Sequence, residues 1–420
     1  MVIIFHRPVL LAMVVLVARL MPQLPAQQLL PPGPRLRDLA AARDPPLLIG
    51  TDLIDSSPWP ATGNPARCIS GNSSAPGCTA NVSYAAIAAN EFSGGNADFS
   101  LVWIAEQPTP ADVFDFDGSD LILAFMRDSN MTYAHINAVL PAGHNVLTGC
   151  CVPKWLTDGY PYAAATRTNR TYNWTQADVR GFMRRRIEAA VPRWLNSGVP
   201  VRGIFPVNEA VANQPFAGRG GWPNTWLYGP EENIMSWAFG NSTDYFGQIF
   251  RWVRAAADKA GAPELRLFYN DYSIETPGPK ADAVLKWLVE QRAAGVPIDG
   301  IGFQSHLPCD CKGSAGCNST DVVAANMMRF VKAGLQVWVT ELDVKMQNNC
   351  TLENQAAVFD AMLGACLAIS PHCDSFMVWG ISDTLWSPTQ WLAGQAPALF
   401  DGDYHAKPAY FALQKRLGQK

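Results

Sequence analysis

An α/β chain closed into a single (β/α)8 barrel of the TIM type is the fold this sequence predicts, on three observations. Short apolar β-forming runs alternate with helical stretches from residue 47 onward, the pattern of a parallel sheet covered by helices. Several runs end in polar or aromatic residues, as in Asn208-Glu209, Asn270-Asp271-Tyr272, Gln304-Ser305-His306 and Trp379, which is where a parallel barrel opens at its functional face. No glycine-rich phosphate loop follows any run, which disfavours an open nucleotide-binding sheet.

Residues 1–26 read as a signal peptide: His6 and Arg7 precede the apolar run 8–17, and Ala26 offers a small residue for cleavage. That run falls short of the roughly 20 residues needed to span a bilayer, so no membrane segment is expected in the mature chain. Residues 27–46, rich in Pro, Arg and Ala without sustained periodicity, read as a leader or linker, which leaves 47–420 for the barrel. The first strand is 47–53, and the Gly/Pro/Ser/Asn-rich loop after it carries Cys68 and Cys78, expected to pair. Residues 84–91 form a second apolar stretch, broken by Ser93-Gly94-Gly95-Asn96.

Residues 120–127 then predict a helix, 131–140 a strand, 176–195 a helix N-capped by Thr175, and 201–207 a strand. Helices over 245–260, 280–294, 321–333, 352–369 and 410–417 alternate with strands over 265–269, 298–303, 337–340 and 375–380.

With 420 residues, 48% of them hydrophobic and 16% charged, the chain is globular material. A formal net charge of −4 leaves no electrostatic footprint for nucleic acid or an anionic membrane. A neutral partner and a monomeric chain are expected, and the 14 tryptophans hint at carbohydrate because aromatic faces stack on sugar rings. Eight Asn-x-Ser/Thr sequons, at Asn72, Asn81, Asn130, Asn169, Asn173, Asn241, Asn318 and Asn349, and an even ten cysteines predict a secreted glycoprotein of the extracellular space or cell wall. Cys309, Cys311 and Cys317 near His306 lack paired Cys-x-x-Cys spacing, so zinc is disfavoured and no metal or cofactor is expected.

The chemistry concentrates in Gln336-Val-Trp-Val-Thr-Glu-Leu-Asp-Val-Lys-Met346. A strand puts residues two apart on one face, so Glu341 and Asp343 point together from its end, and Glu209 ends an earlier strand. Two glutamates across one barrel mouth are the layout of a retaining glycosidase; two unrelated strand-end acids are the bland alternative.

Further motifs decide between these readings. Val207-Asn208-Glu209-Ala210, Phe268-Tyr269-Asn270-Asp271-Tyr272, Gly300-Ile301-Gly302-Phe303-Gln304-Ser305-His306-Leu307, Val339-Thr340-Glu341-Leu342-Asp343 and Val378-Trp379-Gly380 with Lys407-Pro408-Ala409-Tyr410 resemble, in order, glycoside hydrolase family 10, the endo-β-1,4-xylanases. The resemblance implies that Glu209 is the acid/base and Glu341 the nucleophile. It implies that Asn208 bonds the sugar 2-hydroxyl, that His306 bonds Glu341 with Asp343 behind it, and that Gln304 faces the same sugar. Tyr272, Trp379 and Trp386 would line the pocket, Cys366 and Cys373 would form a disulfide, and no cofactor is implied.

Two departures stand against the family pattern. The third strand's Gly-His-x-x-x-Trp-His keeps His144 but has Thr148 and Gly149 in the last two places; His135 rivals His144, which the spacing favours. The second strand's Glu-Asn-x-x-Lys-Trp is reduced to Asn90-Glu91, a glycine-containing insertion and Leu101-Val102-Trp103, without the lysine. Weak sugar binding on the non-reducing side is therefore expected, with short aryl glycosides cleaved poorly relative to long chains. The expected activity is retaining, endo-acting cleavage of xylan or a related polysaccharide. The alternatives are a catalytically weak glycan-binding protein and a wall-polysaccharide transglycosylase on the same barrel.

Overall fold

The computed structural model describes residues 30–53, 82–96, 101, 103–107, 109–110, 112–137, 139–141, 152–158, 173–217, 221–230, 233–240, 243–311, 316–383, 392 and 394–419. Eight parallel strands form the barrel: β1 Leu48–Asp52, β2 Gly94–Asn96, β3 Tyr133–Ile136, β4 Val201–Ile204, β5 Arg266–Asp271, β6 Gly300–Phe303, β7 Gln336–Lys345 and β8 Cys373–Val378. Each pairs with the next, and β8 pairs with β1, Leu48 opposite Ser375. Short continuations Leu140–Pro141, Val207–Asn208 and His306–Pro308 extend β3, β4 and β6 toward the mouth. The described helices of six residues or more are α1 Leu36–Ala41, α2 Val82–Glu91, α3 Asp117–Asp128, α4 Gln176–Leu195, α5 Asp244–Lys259, α6 Pro279–Ala293, α7 Thr320–Lys332, α8 Leu352–Ala368 and α9 Pro408–Gly418.

Element ends follow local chemistry. Thr175 accepts from the Asp178 amide while Asp178 bonds back to the Thr175 amide, the reciprocal cap that starts α4. Thr351 and Asn354 start α8 in the same way, and Pro279 and Pro408 occupy first turns, where no amide is needed.

Aromatic rings fill the lower barrel. Trp338 of β7 lies between His135 and Phe268, at centroid distances of 4.1 and 3.7 Å, with Phe205 edge-on. Rings this large need glycines opposite them. A Cβ on Gly203 would lie 2.4 Å from the Trp338 ring, and one on Gly300 2.2 Å from Phe268.

That requirement corrects the reading of strand two. Gly94-Gly95-Asn96 is not a break or an insertion but β2 itself, because a Cβ on Gly94 would lie 2.2 Å from the Tyr133 ring on β3. Asn90 and Glu91 instead end α2, on the side away from the mouth. Glu91 is buried there and accepts from Arg35, the Leu36 amide and the Tyr410 hydroxyl, so it ties α1 and α9 to the barrel and grips no sugar. Residues 36–41, read from sequence as part of a linker, are the helix α1, with Leu36 and Ala40 fully buried.

The described cysteines are all in disulfides: Cys309–Cys350, Cys311–Cys317 and Cys366–Cys373. The first ties the chain after β6 to the chain after β7. Cys68, Cys78, Cys150 and Cys151 lie outside the described residues, as do Asn72, Asn81, Asn169 and Asn241.

Candidate active site

The C-terminal mouth gathers polar side chains from five strands, β3 to β7. Register between β7 and β8 shifts between Val339 and Leu342, and such an irregularity re-aims side chains. Consecutive residues Thr340 and Glu341 thereby both reach Asn270 of β5, at 2.7 Å to Oδ1 and 2.6 Å from Nδ2. Glu341 and Asp343 do share a face, and His306 bonds both.

Two amides join the two glutamates. Asn270 Nδ2 donates to Glu341 Oε1 and, at 2.9 Å, to Asn208 Oδ1. Asn208 Nδ2 donates to Glu209 Oε1 at 3.0 Å, and Gln304 Nε2 donates to both Asn208 Oδ1 and Glu209 Oε1, at 3.1 and 2.9 Å. Because Asn208 Oδ1 receives two N–H groups, its amide has one consistent orientation, with the NH2 on Glu209. Gly302 gives this chain its space: a Cβ there would lie 2.3 Å from Asn270 Oδ1.

Three N–H donors converge on the Glu341 carboxylate. Asn137, just past β3, donates to Oε1 at 2.8 Å beside Asn270, and His306 Nε2 lies 3.1 Å from Oε2. The other His306 nitrogen, Nδ1, lies 2.6 Å from Asp343 Oδ2. Carboxylates at both ring nitrogens require both to donate, which is the imidazolium form. Burial opposes that charge, but Asp343 and then Glu341 outweigh it and raise the His306 pKa to about 10.

Glu209 sits on strained backbone, at φ 53°. Its amide donates to Asn270 O at 2.9 Å, and the next two amides, of Ala210 and Val211, donate to the Tyr269 hydroxyl. Tyr269 in turn donates to buried Asp271, which Lys280 neutralises at 2.8 Å. Tyr272 stands beside this corner under the Lys280 ammonium, 3.8 Å from its ring centroid. Burial and then the negative charge of Glu209 push its hydroxyl pKa up.

With that geometry in place, comparison with known proteins is decisive at the level of family. The sequence profile described as Glycosyl hydrolase family 10 matches residues 66–416. The chain belongs to this family. Endo-1,4-beta-xylanase 5 of Pyricularia oryzae is 35% identical over 180 residues, 42% of each chain, and endo-1,4-beta-xylanase C of Phanerodontia chrysosporium is 27% identical over 74% of this chain and 66% of its own. The chain thus spans less than half the length of the first of these relatives. Among solved structures, an endo-1,4-beta-xylanase of Penicillium canescens superposes with a TM-score of 0.69 at 23% identity, covering 92% of this chain and 98% of that one. A xylanase of Thermotoga petrophila in complex with xylobiose gives 0.68 at 24%, with coverage of 92% and 98%. These superpositions establish the barrel.

Of the residues the family motifs single out, Asn208, Glu209, Tyr272, Gln304, His306, Glu341 and Asp343 meet in one cluster, and Trp379 stands edge-on to His306 at 6.0 Å. His144 and Trp386 lie outside the described residues, as do Val102, Thr148 and Gly149. His135, the rival for the strand-three histidine, belongs to the aromatic plug. Burial, helped by the charge of Arg266, pushes its pKa down to about 3, and it faces no opening. Sequence reasoning assigned no role to Asn137 or Asn270, although both stand at strand ends, the signal already used for the acids.

Proposed function

We propose that this family 10 chain is a retaining endo-hydrolase of β-1,4-xylosidic bonds in xylan or a related polysaccharide, secreted and glycosylated at its exposed sequons. The observation that carries the chemistry is the Glu209–Asn208–Asn270–Glu341 chain, which couples two carboxylates whose surroundings differ. Glu341 has three N–H donors, one of them from an imidazolium, the setting of an acceptor-only nucleophile. Glu209 has two neutral amides on one oxygen and an aromatic neighbour.

In the first step Glu209 gives its proton to the glycosidic oxygen as that C–O bond breaks, and Glu341 forms an ester to the anomeric carbon. In the second, Glu209 takes a proton from water, whose oxygen attacks the same carbon and releases Glu341. Asn208, Gln304 and Trp379 face the sugar at the cleavage point. Xylan is the substrate class because the relatives are named endo-1,4-beta-xylanases.

Two measurements test this reading. A 2-fluoro xylobioside should label Glu341 covalently; label on any other residue overturns the assignment. Glu209→Ala should depress cleavage of xylan far more than of aryl xylosides with good leaving groups, which need little protonation; equal loss on both argues against an acid role.

A further inference from the structure

Between Gln304 and His306 lies a residue with no evident business at an active site. Ser305 is fully buried and has φ 66°, a left-handed backbone that a serine rarely adopts. The kink has a visible use. It turns Gln304 toward Glu209 and His306 toward Glu341 and Asp343, so the backbone of one residue aims its two neighbours' side chains at different carboxylates.

Strained backbone persists only when its surroundings over-determine it, and here the restraint comes from another strand's loop. Glu275, four residues beyond β5 and 3% exposed, accepts the Ser305 amide on Oε1 at 2.8 Å. Ser305 Oγ adds a bond to Phe303 O at 3.1 Å, which closes the turn locally. The Ser305 carbonyl accepts weakly from the Asp343 amide of β7, at 3.4 Å, while its amide is held by the Glu275 side chain at 2.8 Å.

We propose that Glu275 is a positioning residue: its buried carboxylate holds the Ser305 amide in the left-handed turn that registers Gln304 on Glu209 and His306 on Glu341. The inference rests on the proposed roles of those two glutamates. It gives a buried acid outside the catalytic pair a purpose in catalysis through the backbone and not through its charge.

The test is a rescue cycle. Glu275→Ala removes the acceptor and should lower kcat on xylan about tenfold or more, with KM changed much less. Adding Ser305→Gly should restore a large part of kcat, because glycine takes φ near 66° without steric cost. Glu275→Gln keeps an acceptor oxygen, so its kcat should stay within a few-fold of the parent with the pH profile in place. Full kcat in Glu275→Ala, or a loss that Ser305→Gly leaves unrepaired, overturns the proposal. So does an alkaline limb that moves in Glu275→Gln, since that would mean the charge acts on His306 directly. If Glu275→Ala does not fold, Glu275→Leu, which fills the space without an acceptor, takes its place in the cycle with the same expected and overturning results. Glu209→Ala and Glu341→Ala, assayed on xylan alongside, separate the failures: parent-like xylan cleavage in either one defeats the reading of the site, whereas its loss in both with a failed cycle defeats only this inference.

Discussion

The imidazolium of His306 makes a prediction whose size can be worked from the structure. The ring is 11% exposed, so water screens it little, and it lies between Asp343 at 2.6 Å and Glu341 at 3.1 Å. Its pKa is about 10 in the fold against an ordinary 6.5. Each pH unit of that gap corresponds to about 1.4 kcal/mol, so the charged ring contributes on the order of 5 kcal/mol, less the cost of burying Asp343 beside it. Because the folded pKa is the higher one, the contribution is complete below about pH 6.5, declines through the interval, and is gone above about 10.

Replacing His306 with asparagine removes the titration while keeping a polar side chain. An unfolding entropy of about 2.1 cal/mol/K per residue gives roughly 0.8 kcal/mol/K for a barrel of this length, so the full effect is about 6 °C in Tm. Melting curves of parent and variant across pH 6.5–10, at one scan rate, should show the gap between them closing by somewhat under 2 °C per pH unit. A gap that stays constant or widens across that range would falsify the doubly paired imidazolium.

Two other perturbations follow from the same cluster. Gly302→Ala inserts a methyl 2.3 Å from Asn270 Oδ1; it should cost about 1–3 kcal/mol of stability by overpacking and lower kcat by about 10- to 100-fold through displacement of the amide chain, as steady-state kinetics and melting will measure. Tyr269→Phe removes the hydroxyl that accepts the Ala210 and Val211 amides behind Glu209. Its kcat should fall on xylan more than on aryl xylosides with good leaving groups, and a uniform loss on both would show that the acid's backbone is held by other means.

Much of this molecule was legible from residues alone, because its signals are local. Helix α4 starts at Thr175 because a cap and a third-position acid are adjacent in sequence, and the alternation of strands and helices is a matter of periodicity within each segment. Glu209 and Glu341 announce themselves as acids where apolar β-forming runs give out, although β7 continues to Lys345, and the disulfide of Cys366 and Cys373 closes within seven residues. What only the tertiary structure decided concerns groups brought together from afar. Gly94 and Gly95 read as a break by propensity, yet form β2 because a ring 39 residues on in sequence, that of Tyr133, needs the space a side chain would take. Glu91 resembled a sugar-binding acid until Arg35 and Tyr410, from the two ends of the chain, were found on its carboxylate. Asn137 and Asn270 carry no motif that marks them as donors; they become so only when the barrel closes and strand ends far apart in sequence surround one glutamate. Hydrogen bonds and packing act over a few ångströms of space, whatever the separation along the chain, and only closure of the barrel brings these groups within that reach.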